Sequence, residues 1–314
     1  MARRYRLQSR LEEGTFAEYF KAVTEGEGGP EPVLVKLFSF KVSDAAYARA
    51  LSESGARTRS LRHPGALGFD EVGFIHGRIA AVRSFVEGHN LGDALRRLST
   101  REVVLPPALA LYIVSEAAQV VSAAHLAGWS HGAITPGNVL LGADGRVRVV
   151  DFGALEAMDS SQALRPLLSQ GRNAYRAPEV KTGRGAPAAD VYSLGAIAYE
   201  LLTMQAVAQA RGGAISTKRD ALIAPSRLDR RINARIDPVL MRSLDNATSR
   251  RYPSAAELSE ALRGLFSVLG YAPSAAEAAR FVRDLFPNEV AIGGVGGALP
   301  FAEAFALSPG DEAT

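Results

Sequence analysis

Asn138 and Asp151 carry side-chain oxygen donors, and Lys36 ends the apolar run VLVK with a positive charge. Asn138 and Asp151 lie in one stretch, from His131 to Glu179. It begins HGAITPGNVLL, passes through VRVVDFG and ends NAYRAPE. Between His131 and Asn138 stand Ala133, which has no titratable group and cannot act as a base, and Thr135, which carries no charge. The bland reading of Lys36 is a surface lysine snorkelling at a strand end. The chain has no cysteine, which excludes disulfides, cysteine nucleophiles and cysteine-ligated metals.

These residues need elements to position them. YRLQSRL (5–11) and AEYFKAV (17–23) read as two strands joined by the turn LEEGTF, and VLVKLF reads as a buried strand. Residues 43–61 fit a helix with Ser43 as N-cap, stopping before His63-Pro64. Strand candidates follow near 66–70 and 78–86. After Gly88 the pattern turns helical, at 91–98 and 107–127, the second long, apolar and rich in small residues. Short strands near 139–141 and 146–150 flank the turn Ala143-Asp144-Gly145. Helices are expected at 189–204, near 235–245 and at 254–266. A strand-rich N-lobe (5–86), a hinge (86–90) and a larger helical C-lobe (91–266) make an α+β arrangement. Residues 267–314 form an extension with one helix, within Ser274–Phe286, and a flexible end.

The whole-chain quantities narrow the function classes. With 314 residues and 47% apolar content, the chain can build a real core. Net charge is only +3, and no basic run with interleaved aromatics occurs, so no nucleic-acid partner is expected. The start MARRYRLQSRLEEG is basic without an apolar h-region, and Leu105–His125 carries Glu116 and Gln119 with helical periodicity. No leader and no membrane span are expected, and the expected location is the cytoplasm.

The ordered set GTF, VLVK, LRHPG, FVEG, HGAITPGN, DFG, APE, DVYSLG and RYPS resembles the bacterial eukaryotic-like Ser/Thr protein kinases over residues 5–266. The resemblance implies a bilobal kinase fold. It places Lys36 against the nucleotide α- and β-phosphates, and Asn138 and Asp151 on magnesium. It implies structural roles for five other residues. His131 and Phe152 join an internal hydrophobic spine, Glu179 and Arg251 form a buried ion pair, and Asp190 fixes the catalytic loop.

Against the family pattern HRDLKPEN, the loop arginine is Gly132, the catalytic base is Ala133 and the loop lysine is Thr135. The glutamate that pairs with the strand lysine aligns with Ser54. Glu53 lies one residue and about 100° of helix rotation away. Of the three loop glycines only Gly14 remains, beside Glu12 and Glu13, whose charges repel a polyphosphate. Tyr19, Leu34 and Arg83 replace smaller or apolar residues around the adenine slot and are expected to fill it. Arg83 either points outward or pairs with Glu12, Glu13 or Asp151.

The resulting expectation is a pseudokinase, a degenerate family member without phosphoryl transfer that works as a scaffold or allosteric regulator. Its partner is an active kinase or another signalling protein, and no cofactor is expected. The alternative is an unconventional or weakly active ATP-dependent Ser/Thr kinase, binding ATP and Mg2+ weakly through Lys36, Gly14, Asn138 and Asp151. In a third reading Lys36 and Asp151 pair with each other and serve stability alone.

Overall fold

Burial alternates along Arg4–Glu13 (β1): Tyr5, Leu7 and Leu11 face a core and their neighbours face out. Ala17–Glu25 (β2) and Pro32–Phe38 (β3) continue the sheet. In the computed structural model, residues 3–26, 28–170, 174–180, 185–207, 222–287, 300 and 303–308 are described, without the side chains of 169 and 170.

Helix α1 (Ala45–Ser60) follows, then β4 (Ala66–Leu67), β5 (Glu71–Ile75) and β6 (Arg78–Ser84). The cap of α1 departs from expectation. Asp44, not Ser43, accepts from the Tyr47 backbone N–H at 3.0 Å. The Ser43 hydroxyl is already engaged, donating to the Ser39 carbonyl at 2.9 Å and accepting from Ile79 N–H at 3.0 Å. One face of the sheet buries Phe20, Val35, Leu37 and Val82. The other packs on α1 through Phe38, Tyr47, Leu51 and Ile79.

Beyond Ser84 the chain crosses to the second lobe and enters β7 (Gly88–Asn90). Gly88 has φ +146°, and a Cβ there would lie 2.3 Å from the Leu141 carbonyl oxygen, so only glycine fits. Next come α2 (Leu91–Arg101) and α3 (Pro107–Leu126), then β8 (Val139–Gly142) and β9 (Val147–Val150), which make a small sheet in the order β4-β9-β8-β7. By length and apolarity alone α3 is long enough to cross a membrane. Here it is the centre of the helical core, with 12 of its 20 residues buried. Helices α4 (Ala154–Ser160), α5 (Arg165–Gln170) and α6 (Pro187–Thr203) follow. The helix Ala255–Leu269 packs along α3, with Ser254 as its N-cap. The two-lobed α+β arrangement is thus the observed one.

The C-terminal extension docks on both lobes. The helix Ala275–Leu285 starts at a capping box between Ser274 and Glu277, and buries Ala278, Val282 and Leu285 in the C-lobe core. Phe305–Ala306 (β10) then pairs with β1, Arg4 opposite Ala306 and Tyr5 opposite Phe305. Ser308 bridges Phe74 of β5. The order is therefore β10-β1-β2-β3-β6-β5, and one C-terminal segment touches both outer strands. Of the end expected to be flexible, Ser308 is placed against Phe74. The glycine-rich run before it, and residues 309–314, lie outside the described residues.

Candidate functional site

The lobes enclose a cleft of about 960 Å³. Its upper wall comes from β1, β2, β3 and β6, and its floor from residues 135–140, Val150 and Asp151. Lys36 projects from β3 and meets Asp151 at 2.6 Å, Nζ to Oδ2. Aromatic rings surround the ammonium group, with centroids at 5.1 Å (Phe38), 5.4 Å (Tyr19) and 5.9 Å (Phe69). Burial works against both charges. The mutual attraction outweighs it, so Lys36 is held above the ordinary lysine range and Asp151 below the ordinary carboxyl range. Asp151 itself sits at φ +61°, a left-handed conformation that its contacts must hold.

The catalytic-loop frame is built around Asp190 at the start of α6. Its carboxylate accepts from the His131 N–H at 2.7 Å and the Gly132 N–H at 2.9 Å, and contacts His125 Nε2 at 3.0 Å. His131 is fully enclosed. Its Nε2 lies 2.9 Å from the Val150 carbonyl, which can only accept, so Nε2 carries the proton. Nδ1 accepts from the Ala133 N–H at 3.2 Å. Burial holds the ring below the usual histidine range, which fits this neutral tautomer. Its ring lies 4.5 Å from that of Phe152. Asn138 donates through Nδ2 to the Ala133 carbonyl at 2.8 Å. The loop therefore has its supports, and at its centre stands a methyl group, Ala133. Among the described residues no group of three or more His, Asp or Glu side chains is placed to hold a metal. A metal at Asn138 and Asp151 would take its other ligands from a bound molecule or water.

On α1, Ser54 is buried and Glu53 faces solvent, so no register shift brings Glu53 to Lys36. The Ser54 hydroxyl donates to the Phe152 carbonyl. One turn on, buried Thr58 donates back to the Ser54 carbonyl at 2.8 Å. A close backbone approach makes this possible: a Cβ on Gly55 would lie 2.4 Å from the Phe69 carbonyl oxygen. Helix α4 then packs on α1 through Ala157, and Leu164 joins the same cluster. Of the serines in this segment, Ser161 is buried and Ser160 is exposed, while the Ser169 side chain lies outside the described residues.

The β1–β2 turn is a tight hairpin, Gly14 N–H donating to the Ala17 carbonyl at 2.9 Å. Glu12 and Glu13 both line the cleft; Glu13 pairs with Arg10 at 3.1 Å, while burial and then Asp93 raise the Glu12 carboxyl pKa. The filled-slot expectation needs correction. Leu34 and Arg83 are buried at the inner end and face each other across β3 and β6, with Tyr19 beside Lys36. They stand on the same sheet face as Lys36 and form part of the cleft wall, beside a volume of about 960 Å³. Arg83 pairs with neither Glu12, Glu13 nor Asp151; its Nη1 donates to the Ser84 carbonyl at 3.3 Å.

Far from the cleft, Glu179 and Arg251 form a bidentate pair at 2.7 and 2.8 Å. Burial would raise the Glu179 carboxyl, but the Arg251 hydrogen bonds outweigh it and hold it low. Arg251 also donates to the Asp245 and Ala188 carbonyls, tying the segment after Tyr175 to the C-lobe. No sequence motif pointed to the aromatic ring set around Lys36, nor to the stack of Phe286 on His89 at 3.6 Å beside the cleft. Both depend on residues brought together from distant parts of the chain.

A family model for the protein kinase domain matches residues 5–269. Serine/threonine-protein kinase PknA of Mycobacterium tuberculosis is 32% identical over 209 residues, covering 64% of this chain and 47% of PknA. PknJ of the same organism is 33% identical over 211 residues, covering 64% of this chain and 35% of PknJ. PknB of Mycobacterium leprae is 27% identical over 220 residues, covering 68% and 35%. The matched region thus spans less than half of each relative's length. The crystal structure of the Mycobacterium tuberculosis PknI kinase domain aligns with a TM-score of 0.62 at 24% identity, over 83% of this chain and 95% of that one, a likeness of fold.

Proposed function

The chain belongs to the protein kinase domain family, in its bacterial eukaryotic-like Ser/Thr branch, and from this premise we propose that it is a pseudokinase, a cytoplasmic scaffold or allosteric regulator that transfers no phosphoryl group. The observation that carries the reading is Ala133 inside an intact loop. Asp190, His131 and Asn138 hold that loop as a catalytic loop is held, yet the position facing a substrate hydroxyl offers only a methyl group. Thr135 in place of a charged residue, the loss of two loop glycines and Ser54 in place of a glutamate support it independently. The Asp151 oxygen that would meet a metal is held by Lys36. In this reading nucleotide and magnesium are not part of the working state.

A protein partner, an active kinase or another signalling protein, would meet the surface formed by α1, α4 and α5, whose arrangement in an active kinase depends on activation. Here that arrangement is locked by Ser54 and by buried Ala157 and Leu164.

Two measurements test the reading. Incubation with labelled ATP and magnesium is expected to give no phosphate incorporation, into the chain itself or into an added substrate. Incorporation that disappears in Asp151→Ala overturns it. Millimolar ATP with magnesium is expected to leave the thermal midpoint unchanged; a magnesium-dependent rise by mass action favours the weakly active kinase instead. The paired substitution Ala133→Asp with Thr135→Lys is expected not to create activity, because α1 and the β1–β2 turn still lack their parts.

A further inference from the structure

At the inner end of the cleft, Arg83 is 6% exposed. Among the described residues its hydrogen bond is to its own neighbour, the Ser84 carbonyl, and no carboxylate stands at ion-pair distance from it. A guanidinium has five N–H donors, and a buried one without an acid partner is costly to keep. The nearest acid, Asp151, is already matched by Lys36 at 2.6 Å. The inner cleft therefore carries one uncompensated positive charge. Among the residues lining the cleft are the apolar side chains Leu11, Leu34, Val86 and Leu140, around a volume of about 960 Å³, at the upper end of the ~300–1,000 Å³ typical of small-molecule sites. At the rim the Arg96 guanidinium is paired with Asp93.

We propose that the interlobe cleft binds a small organic monocarboxylate, its carboxylate gripped by the Arg83 guanidinium and its apolar body lying on Leu11, Leu34, Val86 and Leu140. The planar fork of arginine matches a carboxylate in a bidentate pair. A single negative charge balances the single free positive one. A phosphate dianion or a polyphosphate would add repulsion from Asp151 and from Glu12 at the rim. The inference rests on the reading that ATP does not hold the cleft, and gives that cleft a different occupant.

The test uses the full chain and a panel of monocarboxylates (hexanoate, octanoate, decanoate, phenylacetate and indole acetate), each beside its neutral primary amide. Thermal midpoints and titration calorimetry are read at up to millimolar ligand. At least one acid is expected to raise the midpoint and to bind tenfold or more tightly than its amide. No binding by any acid, or equal binding of acid and amide, overturns the proposal. Arg83→Met is expected to raise the ligand-free midpoint by a few degrees and to abolish the preference for acid. Arg83→Lys, which keeps the charge and loses the fork, is expected to retain a weakened preference. An Arg83→Met protein that melts lower, or that still prefers the acid, overturns it as well. Mg-ATP run in parallel separates the two readings. Silence from both acids and ATP removes this proposal and leaves the pseudokinase reading standing. A response to ATP that an acid competes away removes the nucleotide-free reading and leaves the acid site standing.

Discussion

Lys36 and Asp151 compensate each other in a buried setting, 12% and 13% exposed. Lys36→Met is expected to destabilise the fold by about 3 kcal/mol or more, because it strands a buried carboxylate. Lys36→Met with Asp151→Leu is expected to recover most of that loss; urea denaturation measures both. The pair also sets a pH window. Asp151 titrates lower in the folded chain than in the unfolded one, so its contribution is present above about pH 4 and lost as pH falls through the folded value. Lys36 titrates higher when folded, so its contribution is present below about pH 10 and lost as pH rises through the folded value. Stability measured from pH 3 to 6 is expected to climb and then level, and the rise is expected to be smaller in the double variant, where Glu179 still contributes. The identities of Lys36, Asp151, Asn138 and Asp190 were legible from short motifs at family spacing. The direction of Arg83 was not. Its three candidate partners are 68 to 71 residues away in the chain, and only the strand register settles that it faces Leu34 rather than any of them.

Among the elements, α1 is the one whose position decides what the cleft can be. It lies against the link between β4 and β5, at Gly68 and Phe69, with no room between them, and its buried face includes Ser54, Gly55 and Thr58 rather than an acid. Gly55→Ala is expected to cost about 1–3 kcal/mol, since the new methyl meets the Phe69 carbonyl, which is backbone and cannot turn aside. Ser54→Glu, which restores the family's residue type, is expected to destabilise by a similar amount through overpacking against Phe152 and Gly153. Denaturant midpoints check both. The existence of α1 was legible from periodicity and the stop at His63-Pro64. Its cap was one residue off because Ser43 spends its hydroxyl on a tertiary contact with Ile79, which no local pattern reveals. Strands with alternating burial and the long α3 were equally legible. The strand expected near 66–70 is shorter than read, β4 at Ala66–Leu67 pairing in parallel with β9 83 residues later, and β5 at Glu71–Ile75 was not distinct in sequence.

For the whole molecule, the family match ends at residue 269, yet the fold does not. Removing residues 270–314 is expected to lower the thermal midpoint and to produce concentration-dependent association, seen by size-exclusion chromatography. Two faces are uncovered by that cut: the C-lobe patch under Val282 and Leu285, and the free edge of β1. Removing only 300–314 is expected to keep the helix Ala275–Leu285 in place and to reproduce the association through the β1 edge alone. That edge has a further consequence in the order of synthesis. Arg4 pairs with Ala306, 302 residues further along the chain, so β1 is made long before its neighbour. At about 5–20 residues per second, the edge waits roughly 15–60 s. Throughout that interval the nascent chain presents an open strand to whatever else is being made nearby. Its yield in the cell is then governed by how fast Phe305–Ala306 arrives as well as by how stable the folded chain is.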